Sequence, residues 1–435
     1  MDKKIEKDRI SNNFLKKNLK SKDNETGNFK FLKENNFELP DSIYTNVIPI
    51  NIPDSIAKSK IENNDYKDLL LWNIPFKKDE IILEKYKMTY SLKYKGESFN
   101  IFEVINLSEN KYNSMKIMYI INEDIKSSYL KKNELIKGIN ICNKTKKNYF
   151  INIYENIFLE KEKSQYYITF MDPIDCNIMN ILTKFKLGLS LKEVQEVGKQ
   201  LLNCLKFLHS KNYVFLNLIP DNIFLVNSEY LEITNVPINV SERKNLNEKI
   251  YKYKKLLKTD ITITDFININ DIKNIITSDQ YISKEYLAPE IILQSIVDYS
   301  KCDIWAVGCI LMELYTGQKL FNSDKSEILL SLFEKNSGQH YPEYMIQISQ
   351  NKLLKELFID CKIHKQCKSV NIINHENYEE ILTVLKKQPN IKESIHAQHF
   401  IFYDFIKKLI CIDPTIRLSA EEALKHKFFK TDYIE

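Results

Sequence analysis

Glycine is scarce: 8 residues in 435, against a usual share of roughly 7%. That excludes Gly-rich repeats and collagen-like chains, and it predicts that any glycine-rich phosphate loop is degraded. Cysteine is thinly spread. Eight cysteines run from Cys142 to Cys411 without the density of a disulfide framework, which fits a reducing compartment. Long apolar runs are missing. The longest, Ile304–Met312, falls far below the roughly 18 residues of a membrane span. The opening residues Met1–Asp8 hold no apolar core of a secretory signal. Excess charge is missing as well: 63 Lys+Arg minus 58 Asp+Glu gives +5, too little to argue for nucleic acid by bulk electrostatics. These absences predict an intracellular protein, cytoplasmic or nuclear, with no membrane span and no nucleic-acid partner.

Core material is plentiful: 43% of residues are hydrophobic and 11% aromatic, in 51.5 kDa. At roughly 100–200 residues per domain, the length allows two or three domains or one large bilobal unit. Residues 1–85 are rich in Lys, Asn and Asp, and Pro40, Pro49, Pro53 and Pro75 break any long helix. They read as an N-terminal extension, either partly disordered or packed on the main domain. From 86 the pattern turns to short β-rich runs at Ser114–Ile120, Tyr149–Ile153 and Tyr166–Phe170, with a helical stretch at Ser127–Ile139. From about 190 it becomes helical. Val194, Val197, Leu201, Leu202, Leu205 and Leu208 recur at helical spacing and share a face. Strand-like Val214–Leu218, Ile223–Val226 and Ile261–Phe266 follow, then mainly helix to Phe429. The expected class is α+β: a β-rich lobe at 86–171 and a larger, mainly helical lobe at 172–435. Insertions are expected near 241–258 and 322–395, and the charged or mixed stretches 241–258 and 336–395 within them read as solvated surface. No internal repeat is visible.

His209-Ser-Lys-Asn-Tyr-Val-Phe-Leu-Asn-Leu-Ile-Pro-Asp-Asn-Ile-Phe-Leu225 resembles the catalytic loop of eukaryotic protein kinases. Tyr286-Leu-Ala-Pro-Glu290, Asp303-Ile-Trp-Ala-Val-Gly308, Asp413-Pro-Thr-Ile-Arg417 and Ala423-Leu-Lys-His-Lys-Phe-Phe429 follow in the order of that family's helical lobe. Each alone is weak. The set is specific, and it covers about residues 86–430. The segment between Phe321 and Phe400 resembles the insertion of cyclin-dependent and related kinases. The resemblance implies a bilobal fold in which Glu290 pairs with Arg417 and Asp303 holds the catalytic-loop backbone. Trp305 would pack the central helix.

The resemblance also implies phosphoryl transfer from ATP with Mg²⁺, which needs positioning and charge neutralisation more than covalent chemistry. It implies nucleotide contacts at Gly96, Lys116, Glu134, Phe170 and Asn222, and metal contacts at Asn222 and Asp265. Strand alternation puts residues 114, 116 and 118 on one face. With Lys116 as the phosphate-holding lysine, small Ser114 faces the adenine; the alternative alignment puts Met118 in that role. Glu134, on the predicted helix, suits the glutamate that orients the lysine, or is a surface residue. The stretch Lys95-Gly-Glu-Ser-Phe-Asn-Ile-Phe102 keeps only Gly96 of a phosphate loop, and Glu97 adds negative charge beside any phosphate.

The catalytic loop departs most from the family. The expected His-Arg-Asp reads Phe215-Leu216-Asn217. Asn217 stands at the position of the missing catalytic aspartate and is no base near neutral pH, a loss of roughly 10²–10⁴ in rate. Ile219 replaces the lysine expected in Ser/Thr kinases. Leu216 replaces the arginine that reads activation-loop phosphorylation, so control by a phosphate on Thr277, Ser278 or Ser283 needs another cation. The metal aspartate has two candidates. One is Asp265 in Ile263-Thr-Asp-Phe-Ile267, with 241–258 as an insertion before it. The other is Asn235 in Asn235-Val-Pro237, which leaves the metal site crippled. Ile267 removes the hinge that glycine supplies. Cys361, His364, Cys367 and His375 match no common metal spacing and read as ordinary loop residues or as an unusual Cys₂His₂ set.

Three functions follow. The first is a pseudokinase that holds a nucleotide and acts on a protein partner as scaffold or allosteric regulator. The second is an active, divergent serine/threonine kinase acting on a protein substrate. The third is an interaction module without nucleotide binding.

Overall fold

The computed structural model describes residues 29–31, 74–95, 99–120, 150–161, 164–185, 188–216, 218–234, 252–264, 269–271, 283–356, 358 and 378–433. The first lobe is a seven-stranded sheet. Its strands are β1 (Phe29–Phe31), β2 (Ile81–Ile82), β3 (Tyr86–Lys95), β4 (Phe99–Asn106), β5 (Lys111–Ile120), β6 (Ile153–Lys161) and β7 (Ser164–Met171), in the order β1-β6-β7-β5-β4-β3-β2. Short β1 joins β6 in parallel, and every other pairing is antiparallel.

Alternation gives this sheet two apolar faces. Tyr86, Met88, Phe102, Val104, Met115, Ile117, Ile168 and Phe170 form the outer core, closed over by Phe76 and Ile82. Lys161 Nζ donates to the Pro75 carbonyl at 3.1 Å, and the Tyr90 hydroxyl donates to that of Phe76. Phe99, Ile101, Met118, Tyr167 and Met171 face the other way and merge with the core of the second lobe.

That second lobe is mainly helical. Its principal helices are α1 (Ile178–Lys184), α2 (Leu191–Ser210), α3 (Tyr299–Thr316), α4 (Ser326–Ser337), α5 (Tyr378–Lys387), α6 (Phe400–Leu409) and α7 (Ala420–Leu424). On α2 the expected apolar residues are all buried, and Ser190 with Glu193 forms a capping box at its start. Central α3 is buried without a break from Cys302 to Tyr315. A Cβ at Gly308 would stand 2.7 Å from Ile410 Cγ1, so the glycine permits the close approach of the segment ending α6. Trp305 stacks on Phe321 (5.7 Å between centroids) and meets Phe333 edge-on (4.8 Å).

Three boundaries differ from the expectation. The run at 149–153 gives way to a strand that starts at Ile153, because Phe150 instead makes an isolated bridge to Ile263. Val214–Leu218 is strand only at β8 (Tyr213–Val214), and Leu216 already has a left-handed φ of 59°. The charged segment 241–258 contributes β11 (Lys252–Leu256), paired with β10 (Tyr230–Thr234). Leu256 is buried there, and its amide donates to Glu193 Oε1 at 2.7 Å. Helix Ser127–Ile139 and the Cys361, His364, Cys367 and His375 set lie outside the described residues.

Candidate active site

Register fixes the inner face of the sheet. Tyr94, Ile101, Lys116 and Thr169 form one cross-strand row, and Ser114 and Met118 flank Lys116 on the same face. Lys116 is buried, with its Nζ 3.8 Å from the centroid of the Phe99 ring. The Ser114 hydroxyl accepts from the amide of Ile174, in the segment that leaves β7 for the second lobe, at 3.1 Å. Phe170 is turned away. It pairs with Met115, so the pleat carries it to the outer face, where its ring stacks on Tyr86 at 4.1 Å. Thr169 and Met171 take the inner positions. The register thus sets Phe170 on the opposite face from the Lys116 row.

Opposite this face stands the loop after β8. The Asp303 carboxylate accepts from the amides of Phe215 (2.9 Å) and Leu216 (2.7 Å), and His209 Nε2 lies 2.8 Å from it. These bonds hold Leu216 in its left-handed conformation, where a non-glycine residue is otherwise strained. Asn222 ends a 3₁₀ turn, Pro220–Asn222, and is buried. Its carbonyl accepts from the amide of Thr264 at 3.3 Å. Thr264 ends the segment led by β12 (Ile261–Ile263), which pairs with β9 (Ile223–Leu225). In the chain, Thr264 is followed by Asp265. Residues Gly96, Glu134, Asn217, Asn235 and Asp265 lie outside the described residues.

Under the loop, Glu290 takes both arms of Arg417, at 2.6 and 3.0 Å, with both side chains fully buried. Arg417 also donates to the carbonyls of Cys411, Lys301 and Ile412, and its guanidinium lies 5.1 Å from the Trp305 ring centroid.

Sequence reasoning passed over a set of groups beside the loop. The Tyr286 hydroxyl donates to Glu313 Oε2 at 2.5 Å. Burial pushes the Glu313 carboxyl up to about 6, and the charges of Asp221 and Glu285 push the same way. Burial also raises the Asp221 carboxyl. It accepts from Tyr94 Oη at 3.4 Å and from Asn177 Nδ2 at 3.3 Å. Lys319 offsets this negative charge from its ion pair with Glu285, at 2.8 Å. The Tyr94 ring meets Phe99 (5.2 Å) and stands edge-on to Phe224 of β9 (5.4 Å, planes 84° apart). Phe224 stands two positions after Asn222 in the chain.

A family profile described as Protein kinase domain matches residues 95–429, more than half of the chain. The chain belongs to the protein kinase domain family. Its bilobal architecture is that of the family. Several curated kinases are similar to it. One is "Probable serine/threonine-protein kinase clkA" of Dictyostelium discoideum, 33% identical over 244 residues, or 55% of this chain and 25% of that protein. "Dual specificity protein kinase lkh1" of Schizosaccharomyces pombe is 31% identical over 55% of this chain and 32% of its own length. Human "Dual specificity protein kinase CLK1" is 29% identical over 55% of this chain and 45% of its own length. The matched stretch thus spans less than half of each of these three relatives. Protein kinases act on protein substrates and use ATP and Mg²⁺. Among the described residues no acidic, His or Cys cluster could hold a metal ion, and no helix is long and apolar enough to cross a membrane.

Proposed function

We propose that this protein kinase domain is a pseudokinase: it keeps the family's frame, is impaired in phosphoryl transfer, and acts by binding a protein partner as a scaffold or allosteric regulator. One observation carries the reading. Asp303 clamps the catalytic-loop backbone at Phe215 and Leu216, so the loop is built, yet Asn217 and Ile219 stand in it where a base and a cation are needed. Asparagine accepts a hydrogen bond but takes no proton near neutral pH. For the metal position we favour Asp265 over Asn235. Thr264, its chain neighbour, bonds to Asn222, whereas Asn235 follows β10 in a ribbon with β11.

The second reading is an active, divergent kinase with serine/threonine or dual specificity. The printed names of the relatives favour it, and preorganised charge alone can speed a dissociative transfer. One experiment separates the two. The full chain is given γ-labelled ATP and Mg²⁺, with autophosphorylation and transfer to a generic basic protein both counted, and Lys116→Ala as background. The pseudokinase reading expects wild type to match that background. Turnover in the ordinary kinase range of about 1–100 s⁻¹, abolished by Lys116→Ala, contradicts it.

A further inference from the structure

We infer that this domain fills its own nucleotide cleft, and that Tyr94, Phe99 and Ser114 are the residues that exclude a purine nucleotide from it. The inference rests on the pseudokinase reading above and says why the site is not merely slow. A nucleotide in a kinase cleft must lie between Lys116 on the sheet and Asn222 on the opposite loop. Tyr94 belongs to the same cross-strand row as Lys116, and its ring reaches across to Phe224, two residues beyond Asn222. A flat base between two groups needs about 7 Å between them, two van der Waals layers. Tyr94 and Phe224 leave no such layer, since their centroids are 5.4 Å apart in an edge-to-face contact.

The phosphate end is covered as well. Phe99 lies over the Lys116 ammonium at 3.8 Å, where a phosphate oxygen would have to approach. The polar rim is also committed. Ligand orientation in such clefts is set by a few backbone N–H and C=O groups. Along the linker, the Asp172 amide donates to Asn152 O (3.1 Å), Pro173 has no N–H, and the Ile174 amide donates to Ser114 Oγ (3.1 Å). From 172 to 174 no N–H is left for the edge of a base. Three independent contacts thus occupy the base slot, the phosphate contact and the linker donors. The same contacts tie the lobes together, through Tyr94 Oη to Asp221 and the Tyr94 ring to Phe224. Partner binding by this domain is therefore independent of nucleotide.

Isothermal titration of the full chain with ATP·Mg²⁺, and separately with adenosine, tests the inference. Wild type is expected not to saturate at millimolar ligand. Tyr94→Ala removes the plug and is expected to bind adenosine roughly 10- to 100-fold more tightly, because the closed form no longer taxes binding. Tyr94→Phe keeps the ring and stays closed. Each variant is first shown to unfold cooperatively, and Tyr94→Leu replaces Tyr94→Ala if the latter does not. A micromolar Kd for wild type overturns the inference, as does a folded Tyr94 variant that gains no affinity. Wild type that binds ATP but transfers no phosphate would sink this inference alone and leave the pseudokinase reading standing.

Discussion

Glu313 shows how a single residue makes stability depend on pH. Burial raises its carboxyl from an ordinary 4.5 to about 6 while the Tyr286 hydroxyl donates to it. A carboxyl raised on folding binds its proton more tightly in the native state. Its contribution is therefore fully present below about pH 4.5 and lost as pH rises through about 6. Glutamine keeps the acceptor and cannot ionise. Between pH 4.5 and 7, Glu313→Gln should gain about 2 kcal/mol relative to wild type in urea unfolding. An unchanged difference across that window would contradict the assignment. At this scale the sequence was readable in part. Glu290, Arg417 and Asp303 sit in motifs whose residue types state their partners, and all three make the expected bonds. Tyr94 was not readable. Plain alternation puts it on the outer face with Leu92, but a bulge between Leu92 and Tyr94 turns it into the cleft. The face of Phe170 was unreadable for a related reason, since it depends on pairing with Met115 rather than with Lys116.

Among the elements, α2 was the most legible. Its apolar positions repeat at helical spacing, and Ser190 with Glu193 marks its start. Its polar residues carry a second task that no periodicity reveals. Glu193 Oε1 accepts from Leu256, and Gln200 accepts from Ile261 while donating to Thr259 O. The helix thereby holds both the β10–β11 ribbon and the strand that leads to Asp265. This is why part of the charged segment 241–258 is ordered structure: Leu256 has a core to enter and its amide has a buried acceptor. Ser190→Ala removes one half of the capping box and should cost about 1 kcal/mol. Thermal unfolding should register a lower midpoint, and no change would mean that Glu193 is held by Leu256 rather than by the cap.

Across the whole molecule, the frame of a kinase persists while its cleft is closed by side chains. The helical lobe was recognisable because motifs for buried pairs and close helix contacts, such as Glu290–Arg417 and Gly308 against Ile410, resist change in residue type. The sheet lobe was fainter because its phosphate loop has lost glycines, and because β-strand faces are set by register and bulges. The most direct measurement is thermal unfolding of the full chain alone, with ATP, and with ATP plus Mg²⁺, beside Lys116→Ala. A ligand that binds only the folded state at 100 times its Kd adds about 2.7 kcal/mol, a shift of several degrees. The account predicts that wild type and Lys116→Ala melt at the same temperature in all three conditions. A Mg²⁺-dependent rise of several degrees in wild type, absent from Lys116→Ala, would contradict it.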